Sequence, residues 1–164
     1  MNYSIIPATK FDLDFILTLN QESLPAVSYL DLKKINYFLK VSSYFKIFQL
    51  DNKPVGFLIG LKPEIDYKSE NYIWINQRYN SFIYVDRIII DANYRNIGLG
   101  FYFYNHLIQS FYKIVKNIIC EVNIRPYNKQ SINFHKKYGF KEIGVQDTEN
   151  GKKRVSYMIY KINL

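Results

Sequence analysis

Hydrophobic and polar positions alternate along the chain with two different periods, and the sharpest change between them falls near residue 98. The run Phe82-Ile83-Tyr84-Val85-Asp86-Arg87-Ile88-Ile89-Ile90-Asp91 is apolar, β-branched and short enough for one buried strand. It stops at the polar turn Ala92-Asn93-Tyr94-Arg95-Asn96-Ile97-Gly98-Leu99-Gly100, and a helical pattern follows at once. Leu99, Phe103, Leu107 and Phe111 recur on adjoining turns, which predicts a helix from about Gly98 to Tyr112. His106 lies inside that pattern and reads as packed or exposed rather than catalytic.

Toward the N-terminus, Tyr3 to Ile6 reads as an edge strand closed by Pro7. Thr9 is placed to cap a helix carrying Phe11, Phe15, Ile16 and Leu19, with Asp12 and Asp14 in its first turn. A second helix is predicted from near Ser28, with Leu32, Ile35, Phe38 and Leu39 on one face. Tyr44 to Leu50 and Val55 to Leu61 flank Asp51-Asn52-Lys53-Pro54, strong turn chemistry that predicts an antiparallel hairpin. Residues 62 to 80 follow neither period and read as a long loop, either folded down by its own aromatics or covering a substrate.

Beyond the central helix, Ile118 to Asn123 reads as a strand. A whole helix separates it from the run at 82–91, so the two strands are predicted to be parallel neighbours joined by a right-handed crossover. A short helix follows Arg125-Pro126 and ends at Gly139, which suits the left-handed position after a helix. Phe140 to Val145 and Val155 to Ile162 are then antiparallel final strands.

Composition narrows the class. At 164 residues with 48% hydrophobic content, the chain reads as one folded domain spanning 1–164. The net charge of +8 raises nucleic acid or an anionic ligand as partners. Its basic residues are scattered in short pairs, and Lys, Asn, Ile and Tyr are abundant together, as AT-rich coding alone would give. A nucleic-acid surface is therefore not expected. The single cysteine, Cys120, excludes an intramolecular disulfide and a thiolate metal cluster. With no signal-like start and no run near the roughly 20 apolar residues of a membrane helix, a cytoplasmic protein without a membrane partner is expected.

The turn at 95–100 carries candidate chemistry. Amides at a helix N-terminus lack intrahelical partners and sit at the positive end of the dipole, where they can hold phosphate oxygens. A glycine pair there is more often a tight turn than a phosphate site, and neither a P-loop Lys-Ser/Thr nor the third glycine of a dinucleotide fingerprint is present. What the chain has is Arg95-x-x-Gly98-x-Gly100 after a strand, which resembles the R-x-x-G-x-G acetyl-CoA motif of the GNAT family of N-acetyltransferases. Asn128, Ser131, Phe134, His135, Gly139 and Phe140 match that family's last-helix pattern N-x-x-[AS]-x-x-F-Y-x-x-x-G-F in register, except for His135 in the place of Tyr. Together the two motifs resemble a bacterial GNAT branch of unassigned substrate.

The resemblance implies an α/β fold: a single GNAT-like domain whose mixed, mainly antiparallel sheet of about seven strands, with splayed central parallel strands, is flanked by about four helices. It implies backbone contacts from Ile88, Ile89 and Ile90 to the pantetheine arm. Arg95, Asn96, Ile97, Gly98, Leu99, Gly100 and Phe101 would surround the pyrophosphate, and Asn128 would bond the pantetheine. Acetyl-CoA is then the acyl-donor cosubstrate, and no metal is needed.

Attack of an amine on a thioester requires removal of a proton, a donor to the oxyanion and a proton for the leaving thiolate. The oxyanion donor is expected to be a central-strand amide. For the thiolate, His135 is the first candidate, as imidazolium, against a packed or solvent-facing ring; Tyr138 is the reserve. Glu121 is favoured as base and Asp86 as anchor for the substrate ammonium, against structural ion pairs with Arg87 or Arg125 and against a water chain. The expected function is transfer of acetyl to a primary amine, on a small molecule or a protein, by direct attack. The rival readings are a CoA-binding sensor or interaction module without turnover and a basic nucleic-acid-binding domain. Monomer and homodimer are both compatible with the sequence.

Overall fold

A computed structural model describes residues 2 to 162. Seven strands form one sheet in the order β1-β2-β3-β4-β5-β7-β6: β1 (Tyr3–Pro7), β2 (Tyr44–Leu50), β3 (Lys53–Leu61), β4 (Phe82–Ile90), β5 (Asn117–Arg125), β6 (Lys141–Thr148) and β7 (Lys153–Lys161). Five helices accompany them: α1 (Leu13–Glu22), α2 (Leu32–Val41), α3 (Glu70–Asn76), α4 (Leu99–Phe111) and α5 (Lys129–Tyr138). The ladder between β4 and β5 is parallel, running from Phe82↔Asn117 to Val85↔Cys120, while the registered pairs β1·β2, β2·β3, β5·β7 and β6·β7 are antiparallel. β4 continues past this ladder to Ile90 and β5 to Arg125.

The chain divides into two compact units, one made of residues up to Leu61 with Arg87–Ser110, the other of Lys62–Asp86 with the chain from Phe111 onward. In the first unit, Ile16, Leu19, Ile35, Phe38, Ile47, Phe48, Phe57 and Phe103 are buried. Burying each such side chain contributes roughly 1.5–3 kcal/mol before entropy is charged against it. Asp51 and Asn52 both take the left-handed conformation that a two-residue hairpin turn demands, which is why polar residues sit between β2 and β3. Thr9 does cap, but it starts a 3₁₀ turn at Lys10–Asp12 through a reciprocal capping box with Asp12, and α1 begins only after it.

α2 begins four residues later than the apolar spacing suggests, at Leu32, because Asp31 and not Ser28 supplies the cap to Lys34 N–H (2.7 Å). Ser28 is used elsewhere: its carbonyl and Oγ accept hydrogen bonds from the buried Arg87 guanidinium, at 3.1 Å each, and Asn20 Oδ1 accepts another.

In the second unit the expected loop at 62–80 contains a helix. Ser69 caps α3 by accepting from Tyr72 N–H, and Tyr72 and Ile75 point inward. Seven residues with two buried positions leave too little periodicity to read. Trp74 docks this helix: its ring stacks on Tyr157 of β7 at 4.0 Å and 10°, and the Arg78 guanidinium lies 4.1 Å from its centroid on the other flank. Gly144 of β6 permits the approach, since a Cβ there would stand 2.8 Å from the indole.

Candidate active site

The predicted phosphate turn lies in the first unit. Asp91 N–H donates to Val55 O (2.8 Å) as β4 ends, and Arg95 Nε donates back to Ile90 O (2.8 Å), tying the turn to the strand. Asn96 and Gly98 then adopt φ of 64° and 90°, the left-handed region in which glycine carries no penalty. A Cβ on Gly98 would meet only Tyr102, at 3.9 Å, so conformation rather than crowding selects glycine here. α4 starts at Leu99, and Phe101 N–H bonds Gly98 O at 3.0 Å. Asn96, Ile97 and Gly98 are exposed, so the end of α4 that carries the positive half of the dipole lies beside an accessible turn. Ile89 is buried, while Ile88 and Ile90 are half-buried.

A connected polar cluster lies in the second unit. Glu121 Oε1 accepts two hydrogen bonds at 3.1 Å, from Tyr84 Oη on β4 and from Asn71 Nδ2 on α3. Asn71 Oδ1 accepts in turn from Tyr157 Oη (3.0 Å), which fixes the orientation of the amide. Glu121 Oε2 is shielded from solvent and has no hydrogen-bond partner. Burial and the nearby Asp86 charge raise the Glu121 pKa to about 8, against the smaller opposing effect of the hydrogen bonds. Asp86 Oδ1 accepts from Tyr67 Oη at 2.6 Å. Arg125 pairs with Asp147 (2.9 Å), and the Arg87 guanidinium donates to Asn20 and Ser28.

α5 places the remaining candidates. Asn128 is its N-cap, with Oδ1 accepting from Ser131 N–H (3.1 Å), so its amide nitrogen is the group it can offer a ligand. His135 is buried between Phe134 and Phe140, and its Nδ1 lies 2.7 Å from Ser131 O, which assigns the ring proton to that nitrogen. Desolvation lowers its pKa to about 4, only partly offset by the bond to Ser131. Burial thus works against the imidazolium donor foreseen at this position. Tyr138 is half-buried against Tyr160 and Phe140, and burial raises its pKa.

Asn71, Tyr84, Tyr67 and Tyr157 were not among the residues expected from sequence. Tyr84 carried a signal, being two residues from Asp86 and so on the same face of β4. The others are reached only through tertiary contacts. Among the described residues no group of three or more His, Cys, Asp or Glu could hold a metal ion, and no helix is long and apolar enough to cross a membrane.

A strand, glycine turn and helix start, followed by a parallel β5 and an Asn-capped α5, define the class to which the comparisons also lead. The model of the acetyltransferase (GNAT) family matches residues 13–140, and the chain belongs to that family. It is 26% identical over 147 residues, 87% of this chain and 83% of the relative, to an N-alpha-acetyltransferase of Sulfurisphaera tokodaii. It is 29% identical over 124 residues, 75% of this chain and 72% of the relative, to a spermine/spermidine N(1)-acetyltransferase of Bacillus subtilis. The Ard1 structure from Thermoplasma volcanium superposes with a TM-score of 0.80 over 100% of both chains at 17% identity, a likeness of fold. By family the protein is an N-acetyltransferase, with an α/β fold of one seven-stranded mixed sheet and five helices, one more than the sequence indicates.

Proposed function

We propose that the protein transfers the acetyl group of acetyl-CoA to a primary amine by direct attack on the thioester. The diphosphate would be held by the amides of 96–100 and by Arg95, with Phe101 beside it, and the pantetheine by the main chain of 88–90 and the Asn128 amide. A primary ammonium has a pKa near 10, so it must give up a proton before it can attack. Glu121 is the base in this reading. The observation that carries it is the asymmetry of its carboxylate: Oε1 is doubly held, Oε2 is buried and bare, and the pKa lies near 8. Asp86, with Tyr67 on one oxygen, would anchor the ammonium.

The leaving thiolate needs a proton from a group that still holds one at working pH. Tyr138 meets that condition, as a weak donor always loaded, and His135 does not. The matched relatives are named for polyamine and for α-amine acetylation, which supports an amine acceptor of small-molecule or protein origin. A thiol-release assay with acetyl-CoA against a panel of polyamines, amino acids and peptides with free N-termini tests the proposal. Amine-dependent release is expected. Acetyl-CoA binding with no release for any amine would instead make the chain a non-catalytic CoA-binding module.

A further inference from the structure

α3 is the element the sequence concealed, and it reaches the reacting carboxylate through a single side chain. Asn71, Trp74 and Arg78 follow one another at helical spacing, three and four residues apart, and so share a side of α3 and its C-terminal end. Trp74 is held between Arg78 and Tyr157, and the hydroxyl of that same Tyr157 donates to Asn71 Oδ1. The stack therefore sets the depth at which α3 sits, and the Tyr157 hydrogen bond sets which way the Asn71 amide faces. Nδ2 is left to point at Glu121 Oε1.

We propose that Asn71 is a positioning residue of the transfer reaction, holding Glu121 Oε1 so that Oε2 is the oxygen left to take up a proton. The proposal rests on the reading of Glu121 as the base. In the step concerned, Oε2 takes up the first proton that the substrate ammonium sheds. The nitrogen lone pair so released forms the C–N bond, the C–S bond breaks to leave the CoA thiolate, and the second proton that the nitrogen sheds as the amide forms balances the one the thiolate takes up. If the carboxylate were free to rotate, the two oxygens would exchange places and the acceptor of that proton would in part of the population be the one held by Tyr84.

The groups acting on Glu121 come from four segments. Asn71 belongs to α3, Tyr84 and the like charge of Asp86 to β4, Tyr157 to β7, and Tyr67, bonded to Asp86, to the segment after β3. Of these, Asn71 and Tyr84 stabilise the ionised form and Asp86 opposes it. Loss of Asn71 should therefore push the protonation midpoint of Glu121 upward, by about one pH unit for one hydrogen bond to a charged acceptor.

The test uses the whole chain, with glutamate side-chain carboxyls labelled with ¹³C and Glu121 assigned through Glu121→Gln. The carboxyl is titrated by NMR in the wild type, Asn71→Leu and Tyr157→Phe, and kcat against pH is measured on the same proteins. Tyr157→Phe keeps the aromatic stack and removes only the hydroxyl, so it remains informative if Asn71→Leu folds poorly. Support is an upward midpoint shift in Asn71→Leu and a smaller one in Tyr157→Phe. The acidic limb of kcat should move by the same amount, giving about a tenfold loss at pH 7, with KM for acetyl-CoA unchanged. An unmoved midpoint overturns the role of Asn71 while leaving the transferase reading intact. A moved midpoint with an unmoved kcat limb takes Glu121 out of the proton path and overturns the proposal together with the base assignment. Absence of wild-type turnover with every amine sinks the transferase reading itself, whatever the titration shows.

Discussion

Tyr84 donates its hydroxyl proton to Glu121 Oε1 across 3.1 Å, from the strand parallel and adjacent to the one that carries the carboxylate. The bond favours the ionised carboxylate, while the carboxylate makes the phenol harder to deprotonate. The buried phenol sits well above its ordinary pKa, first through desolvation and then through the charges of Glu121 and Asp86. The carboxyl rises to about 8 for the same leading reason. A buried acid held mostly protonated at neutral pH is a cost to the folded state and an asset to a base that must act on an amine.

Glu121→Gln separates that cost from that asset. The unfolded carboxyl ionises near 4.5 and the folded one near 8, so the wild type is fully stabilised below about pH 4.5 and loses stability as pH rises to about 8. Glutamine is neutral, can accept on the same oxygen and should remove that slope. Denaturant unfolding should show the variant more stable than wild type at pH 8 by up to about 4 kcal/mol and equal to it at pH 4. Its kcat should fall by roughly 10²–10⁴.

His135 predicts the opposite slope. Its folded pKa of about 4 lies below the ordinary 6.5, so its contribution is complete above pH 6.5 and is lost as pH falls toward 4. His135→Phe, at a position already flanked by Phe134 and Phe140, should flatten that acid limb in urea unfolding curves. Because the ring is neutral at working pH, kcat should fall less in this variant than in Tyr138→Phe; the reverse order would return the donor role to His135.

Gly144→Ala tests the docking of α3. The added Cβ would stand 2.8 Å from the Trp74 ring, which cannot retreat without leaving Tyr157. A loss of about 1–3 kcal/mol is expected from thermal unfolding, the usual cost of overpacking. Turnover should drop with it, since Asn71 rides on the same helix.

The sequence reading succeeded where the structure is locally determined. β4, the turn at 95–100 and α4 were legible because an apolar run, a left-handed glycine and a helical period follow one another directly. The β2–β3 hairpin was legible from Asp51-Asn52 for the same reason. α3 was not, because its stability comes from Trp74 against a strand some eighty residues further on. Glu121 could be singled out as a carboxylate on a strand. Its chemistry could not, since the groups that hold it lie 37 and 50 residues away in the chain. His135 fits its motif as a candidate acid; its burial, invisible in a motif, is what favours the neutral ring.

Acetyl transfer depends most directly on the turn at Gly98 binding a diphosphate, and calorimetry can test that contact. Acetyl-CoA and acetyl-pantetheine, which lacks the diphosphate and the nucleotide beyond it, are titrated into the wild type and into Gly98→Asp, whose side chain adds negative charge and strain at φ 90°. The prediction is strong binding of acetyl-CoA and much weaker binding of acetyl-pantetheine by the wild type, with the difference abolished in the variant. Equal affinity of the wild type for the two ligands, or acetyl-CoA affinity unchanged by Gly98→Asp, would contradict it.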